Sequence, residues 1–430
     1  MASITSAMAA YYRLARHNRN FRRLWLAQIV SEIGDWFYVV AIYSLLLELT
    51  GKASSVALAL VLQVLPQTFF GPIAGIINDR LRRKQVMIFA DLARAVIVAA
   101  MLLVRSRELV WIIYPLLFTE TLMWAMFEPA RNAVMPNVAS EDELITANTL
   151  STTTWSFNLA VGSLFGGLVA AFLGREAVFV MNSASFLCSA ALLAGMNLHE
   201  THAEQHSPLR LRDLFNYSPI AEGIRYVRSD ARLFATLFVK GGAMLMGVNW
   251  VLFPIMGERT FLLSGHGLTP QRAAMFTMSL LMGCRGVGAL LGPLLFTPWA
   301  GQNQVRLRTL ILFGFVMGGC GYALLGGAPT LAWACGAVTL AHMGGSNVWV
   351  ASTTLLQMNT EDRFRGRVFS ADLGFAMLIL GSTAYTGGWL IDRGLSPRTL
   401  AVAAGSALLV PTLAWSWAQG LWRSKQERAA

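Results

Sequence analysis

The sequence predicts an all-α polytopic membrane protein whose twelve transmembrane helices form two six-helix bundles. Three observations carry that expectation. Apolar residues make up 55% of the 430 residues and charged ones only 13%, roughly half the charged share of a soluble domain. Twelve separate stretches reach the ~20 apolar residues needed to cross a hydrocarbon layer about 30 Å thick. Landmarks in the first six stretches also recur in the last six at a nearly constant offset. Disorder is excluded by an apolar, weakly charged chain, and a disulfide scaffold by only four cysteines. The ten-residue alternating strands of a membrane β-barrel are absent from the pattern.

The stretches are 24–47, 54–77, 86–104, 110–128, 149–173, 177–198, 233–254, 274–297, 309–327, 331–352, 369–391 and 398–421. They divide the chain into an N-terminal segment 1–23, a first bundle 24–198, a central loop 199–232, a second bundle 233–421 and a tail 422–430. Cys188, Cys284, Cys320 and Cys335 all fall inside spans, where they read as small apolar packing residues. Residues 1–20 lack the charged start and apolar core of a signal peptide and read as a short basic helix lying on the cytoplasmic face.

The net charge of +11 would point to nucleic acid in a soluble protein. Here its distribution gives another account. Twenty-three Lys and Arg lie on the side of the termini and eight in the opposite loops, while Arg94, Lys240 and Arg285 lie within spans. By the positive-inside rule both termini are cytoplasmic, and the surplus charge meets anionic lipid. No aromatic-interleaved basic surface outside the membrane offers a nucleic-acid site.

The two halves repeat one another. Gly71-Pro72 recurs as Gly292-Pro293 and Gly166-Gly167 as Gly387-Gly388, both offset by 221 residues, while Met135-Pro136-Asn137 aligns with Gln357-Met358-Asn359 at 222. A parallel repeat of six-helix bundles is a transporter architecture with its cavity between the halves near the midplane. Glycines at helical spacing, among them Gly71 and Gly75, Gly162 and Gly166, and Gly288 and Gly292, suit close helix packing or a sliding seam.

Between spans two and three stands Gly75-Ile-Ile-Asn-Asp79-Arg80-Leu-Arg-Arg83-Lys84. It resembles the G-x-x-x-D-R-x-G-R-R/K signature of the major facilitator superfamily, with Arg82 replacing the second glycine. Asn20-Phe-Arg-Arg-Leu-Trp25, Gly34-Asp35-Trp36, Pro129-Ala130, Asn148-Thr149-Leu150, Asn182-Ser-Ala-Ser-Phe186, Glu222-Gly-Ile-Arg-Tyr226 and Arg365-Gly-Arg-Val-Phe369 extend the likeness along the chain. They resemble the branch holding the enterobactin exporter and related multidrug exporters. The resemblance implies the major facilitator fold and a gating role for the loop. Gly75 would let spans two and eleven approach, and Asp79 would accept from the amide end of span eleven near Arg367–Ser370. Arg83 would pair with Asp91 or Glu128, with Arg94 and Arg131 as neighbouring partners. In span five, Gly162-Ser163-Leu-Phe-Gly166-Gly167 keeps the final glycines of an exporter motif, with Ser163 where proline is expected.

Ionisable groups at depth cost about 3 kcal/mol and are functional suspects. Asp35, Glu120, Arg285 and His342 lie near the midplane, and by resemblance spans one, four, seven and ten line the cavity. Asp35 and Glu120 are the proton-coupling candidates. Arg285 would balance one of them or bind an anionic substrate group. A buried structural acid–arginine pair is the alternative. Glu32, one turn before Asp35, and Lys240 suggest a gating pair. Asp91 and Arg94, three apart on one face, read as structural. His342 reads as a hydrogen-bonded bundle histidine in preference to a proton relay. His199, His202 and His206 beside Glu200 and Glu204 read as a solvated linker in preference to a weak metal site, so no metal is expected.

The expected function is secondary active export of a small amphipathic molecule, drug-like or siderophore, by alternating access. The proton gradient is its energy source and no cofactor is needed. Its partners are the lipid bilayer, the substrate and protons, without nucleic acid, and the protein acts as a monomer. The resemblance implies a bacterial inner membrane. A lipid or metabolite transporter with another direction or coupling ion is the alternative, followed by a non-transporting membrane sensor. No nucleophile with its base, metal triad or phosphate loop supports an enzyme.

Overall fold

The computed structural model describes residues 4–198, 200, 225–228, 231–262, 269–301 and 303–427, and every regular element among them is helical. A terminal helix α1 (Ile4–His17) precedes spans one to six: α2 (Arg19–Thr50), α3 (Ala53–Arg80), α4 (Arg83–Ala100), α5 (Ile113–Val138), α6 (Glu141–Leu173) and α7 (Arg175–Ala194). Span seven is divided into α8 (Ala231–Ala243) and α9 (Asn249–Arg259). Spans eight to eleven are α10 (Pro270–Ala300), α11 (Gln304–Gly326), α12 (Leu331–Asn359) and α13 (Asp362–Asp392). Span twelve is divided into α14 (Pro397–Ala407) and α15 (Leu409–Glu427).

Eleven helical segments among the described residues are long and apolar enough to cross a membrane, and α12 supplies the twelfth helix. The chain is an integral membrane protein of the twelve-helix, two-bundle class. Several helices overrun their apolar stretches because polar caps start them early. Span five begins at Glu141, where Ser140 and Glu143 form a capping box, eight residues before its apolar stretch. Gly51 (φ 67°) turns the chain from span one into span two in a conformation open to glycine.

The chain forms two compact units, residues 1–45 with 69–216 and residues 46–68 with 217–430. The division therefore differs from the one expected at the central loop alone, because the first half of span two groups with the second unit. Much of the central loop, including His199, His202, His206 and Glu204, lies outside the described residues.

In the first unit, span one packs against spans five and six with little room. A methyl added at Gly162 would meet Trp36 Cβ at 2.8 Å, and one at Gly166 would meet Phe37 Cα at 2.6 Å. Gly167 beside them is buried. One core cluster joins Phe21, Leu24, Ala27, Met87, Ala90, Phe127, Ala130 and Val134. Leu14 of α1 belongs to it. The N-terminal helix, expected to lie on the membrane face, is thus anchored into the bundle, since burying Leu14 removes apolar surface from water.

In the second unit, span ten packs backbone to backbone against its neighbours. Methyls added at Gly288 and Gly292 would meet the carbonyl oxygens of Thr339 and Met343 at 2.3 and 2.4 Å, and one at Gly314 that of Gly344 at 2.6 Å. Its mix of small and polar residues, which lowers its hydropathy, serves that packing. Span seven is interrupted by a tight 3-10 segment, Met244–Val248. The carbonyl of Met246 accepts from Tyr322 Oη (2.8 Å) and Asn249 Nδ2 (2.7 Å), so side chains satisfy a backbone group at the break. In span twelve, Pro411 has no N–H for the carbonyl of Ala407, where α14 ends.

Candidate functional site

In the first unit, Arg94 of span three is the centre of a buried charge cluster. Its guanidinium donates to Asp91 Oδ1 at 2.5 Å and stands 3.5 Å from Asp35 Oδ2 of span one. The rings of Phe127 and Phe186, with centroids 4.8 and 4.2 Å away, pack against the same guanidinium. Ser189 Oγ of span six donates to the other oxygen of Asp91 at 2.6 Å. Glu120 of span four is buried within electrostatic reach of both Asp35 and Arg94. The Asp35 side chain retains 26% of its exposure and the Asp91 side chain none. The spacing of Asp91 and Arg94 did suggest their pair. It did not suggest that Arg94, rather than Arg285, is the cation facing Asp35.

A second polar string crosses spans one, four and five. Arg131 pairs with Glu128 on its own helix and donates to Ser151 Oγ at 2.6 Å. Ser151 Oγ donates to Gln28 Oε1 at 2.8 Å, and Gln28 Nε2 donates to Glu32 Oε1 at 2.9 Å. Asn158 Nδ2 closes the string on Glu32 Oε2 at 3.0 Å. Three side chains, Gln28, Ser151 and Arg131, thereby link Glu32 to Glu128. Trp25 Nε1 donates to Thr154 Oγ1 nearby, and Trp36 and Trp155 meet edge to face with centroids 6.1 Å apart.

In the second unit, Lys240 of span seven forms a buried ion pair with Asp372 of span eleven and sits 4.5 Å from the ring centroid of Trp349. The gating pair suggested for Glu32 and Lys240 is replaced by partners inside each unit: Gln28 and Asn158 for the acid, Asp372 for the lysine. The reason is proximity along the bundle, since each charge meets a polar neighbour on an adjacent helix. Asp372 was missed because it lies only three residues inside its apolar stretch and resembles a flanking charge. The charge of Lys240 on span seven, which needed a counter-ion, was the available signal.

Arg285 packs over Trp250 at 4.3 Å from the ring centroid. His342 lies between Phe253 and Tyr322, each with centroids 6.2 Å away. Its Nε2 is buried with no hydrogen-bond partner among the described residues, which corrects the expected hydrogen-bonded histidine: aromatic packing holds the ring. Among the described residues no group of three or more His, Cys, Asp and Glu is arranged to hold a metal.

The loop motif caps helix ends in the first unit. Arg83 donates to the carbonyls of Ala133 (3.0 Å) and Asn78 (3.3 Å). Lys84 Nζ donates to those of Ala194 (2.8 Å) and Met196 (2.7 Å), where a cation complements the C-terminal end of span six. The acids proposed for Arg83 are engaged elsewhere, Asp91 by Arg94 and Glu128 by Arg131, because those arginines lie three residues along the same helices. Arg80 is half-buried. A methyl added at Gly75 would meet nothing within 4 Å among the described residues. The side chains of Asp79 and Arg367 lie outside the described residues.

Comparison with known proteins gives this architecture a family. Residues 24–373 match the Major Facilitator Superfamily. Macrolide efflux protein A of Streptococcus pyogenes is 29% identical over 359 residues, covering 81% of this chain and 84% of the relative. The putative bacilysin exporter BacE of Bacillus subtilis (strain 168) is 26% identical over 315 residues, 72% of this chain and 74% of the relative. Among solved structures, the nucleoside transporter NupG superposes with a TM-score of 0.69 at 12% identity, covering 92% of this chain and 98% of that one. A bacterial homologue of the lysosomal transporter Spinster, in an inward-facing and occupied conformation, gives 0.66 at 16% identity, with coverages of 93% and 96%. These two likenesses concern the fold alone. Family and relatives are transporters rather than enzymes, and the chain belongs to the Major Facilitator Superfamily.

Proposed function

We propose that the protein is a proton-coupled secondary exporter of small amphipathic molecules that carry a basic group. The charge balance around Arg94 carries the reading. Three carboxyl groups, Asp35, Asp91 and Glu120, lie within reach of one guanidinium. Asp91 is committed to Arg94 and Ser189. Asp35 and Glu120 share what remains of a single positive charge in a setting of low dielectric, where an uncompensated charge is costly. A proton or a basic substrate group offsets the surplus, and occupancy by one disfavours the other. Such mutual exclusion is the thermodynamic requirement for exchange across the membrane. Asp35, the more open of the two salt-linked acids, is the group through which either cation arrives.

Export is supported by relatives named for macrolide efflux and bacilysin export. The resemblance to the enterobactin exporter branch adds siderophores to the candidate substrates. The bias of basic residues favours cytoplasmic termini in a bacterial inner membrane. The reading assigns no cofactor, a proton gradient as energy source and a monomer whose partners are lipid, substrate and protons, without nucleic acid.

The test is a screen of basic, neutral and acidic amphipathic compounds in proteoliposomes with an imposed pH gradient. Gradient-driven movement of basic compounds, lost in Asp35→Asn, is the expected result. Movement that ignores the pH gradient but follows sodium would transfer the reading to another coupling ion, and acidic substrates would move the binding role toward Arg285.

A further inference from the structure

Span eleven faces the first half of span two along a seam of glycines. A methyl added at Gly374 would meet Thr68 Cγ2 at 3.0 Å, one at Gly381 would lie 3.6 Å from Val61 Cγ2, and one at Gly388 would meet the carbonyl oxygen of Ala53 at 2.9 Å. The three glycines are two helical turns apart in sequence and so share one face of the helix. Their partners run backward along span two, as antiparallel packing demands. At Gly374 and Gly388 a β-branched side chain or backbone atoms occupy the space, so the close approach there favours glycine, while at Gly381 a methyl would make ordinary van der Waals contact.

Asp392 ends the seam. Its two carboxylate oxygens accept from the backbone N–H groups of Ala53 (2.7 Å) and Ser54 (3.0 Å). These are the first amides of α3, which have no partner inside their own helix, and the helix dipole favours an anion at that end. The last turn of α13 that carries Asp392 is held by Gly394 at φ 96°, where Leu395 N donates to the carbonyl of Leu390 at 3.0 Å. Beside it Arg259 Nη2 donates to the carbonyl of Gly51 at 3.0 Å.

We propose that Asp392 is a gating residue of the transport cycle, a carboxylate latch that fastens the start of span two to the end of span eleven and holds the outer side shut. The latch is strong enough to bias a closed state and weak enough to open within a transport cycle, because it consists of two hydrogen bonds to an exposed carboxylate instead of a buried ion pair. The end of the bundle that carries Asp392 is the outer one under the proposed topology, with the termini in the cytoplasm.

The experiment places a cysteine at Ala57, fully buried beside Gly388, in the full-length chain and follows its modification by a membrane-impermeant maleimide. Right-side-out and inside-out vesicles are compared, and the native cysteines are subtracted with the chain lacking that substitution. Loss of a helix-capping acid shifts an equilibrium by roughly fivefold. Asp392→Asn and Asp392→Ala should therefore raise modification from the outer side about fivefold, with Asp392→Glu returning it toward the slow rate. Gly388→Val parts the seam without touching the acid and should raise the same signal. Unchanged labelling from either face in folded Asp392→Ala overturns the latch while leaving the transport reading intact. Equal rises from both faces also overturn it, since they report a loosened fold. A rise confined to the opposite face overturns the outer-gate assignment together with the topology.

Discussion

Lys240 and Asp372 join spans seven and eleven by a buried ion pair, whereas in the first half Gln28 and Ser151 join spans one and five by a hydrogen bond. Ser151 and Asp372 are related by the offset of 221 residues that also relates Gly166 to Gly387. The first and fifth helices of each repeat thus carry a polar cross-link whose fifth-helix members share that offset, while Gln28 and Lys240 are 212 residues apart. Amide and hydroxyl groups form one and opposite charges the other. A neutral cross-link survives loss of one partner at the cost of a hydrogen bond, about 1 kcal/mol. An ion pair does not, because the survivor is left as a bare charge.

Lys240→Met should therefore destabilise the protein by about 3–5 kcal/mol, the usual result of stripping one partner from a buried pair. It also removes the cation that packs against Trp349. The double substitution Lys240→Met with Asp372→Leu should recover most of that loss, and thermal unfolding in detergent compares the two. Equal destabilisation of single and double variants would mean that packing, and not charge pairing, sets the cost.

Asp35 and Asp91 touch the same arginine yet should behave differently when neutralised. Asp91→Asn removes a fully buried carboxylate that accepts from both Arg94 and Ser189, and should lower stability by roughly 2 kcal/mol or more. Asp35→Asn alters a more open side chain 3.5 Å from the guanidinium, and should leave the melting temperature nearly unchanged while abolishing gradient-driven flux. Flux and melting curves measured on the same purified samples separate these outcomes. Intact gradient-driven flux in Asp35→Asn would remove that residue from coupling.

Two glycines that look alike in sequence should respond differently to alanine. At Gly166 the new methyl would lie 2.6 Å from Phe37 Cα, a backbone atom that cannot swing aside, so about 1–3 kcal/mol of overpacking strain is expected. At Gly75 it would meet nothing within 4 Å, and stability should stay within about 0.5 kcal/mol. Because Gly75→Ala leaves this conformation unstrained, a transport defect at full stability would show that the glycine is needed elsewhere in the cycle. Thermal shift and initial flux rates decide.

The membrane helices were legible because hydropathy is a local property of some twenty consecutive residues, and their polar caps explain where they overrun it. The repeat was legible through glycines whose close contacts demand that residue type, such as Gly166 and Gly388. Partner choice was not. Asp35 and Arg94 meet only because two helices are rotated to face one another, and no periodicity within either reveals that rotation. Asp392 falls one residue beyond the eleventh apolar stretch and reads as an ordinary loop charge. Its acceptor role depends on amides 339 residues away in sequence. Charges at depth were found by their cost, whereas Gln28, Ser151 and Asn158, which link them, are too common in membrane helices to stand out singly.

Glu32 offers the cleanest separation of charge from structure. Its two oxygens accept from different donors, Gln28 Nε2 and Asn158 Nδ2. In Glu32→Gln one oxygen becomes an NH₂ group, which at first sight sets donor against donor. The Oδ1 atom of Asn158, however, is buried without a hydrogen-bond partner among the described residues. Rotating the Asn158 amide by half a turn presents that oxygen to the new NH₂ and restores the string. Glu32→Gln should therefore cost less than about 1 kcal/mol of stability, whereas Glu32→Leu, which strands both donors, should cost about 2 kcal/mol or more. If the negative charge of Glu32 participates in coupling, Glu32→Gln should abolish gradient-driven flux at full stability. Retention of flux in Glu32→Gln with its loss in Glu32→Leu would confine the residue to holding spans one and five together.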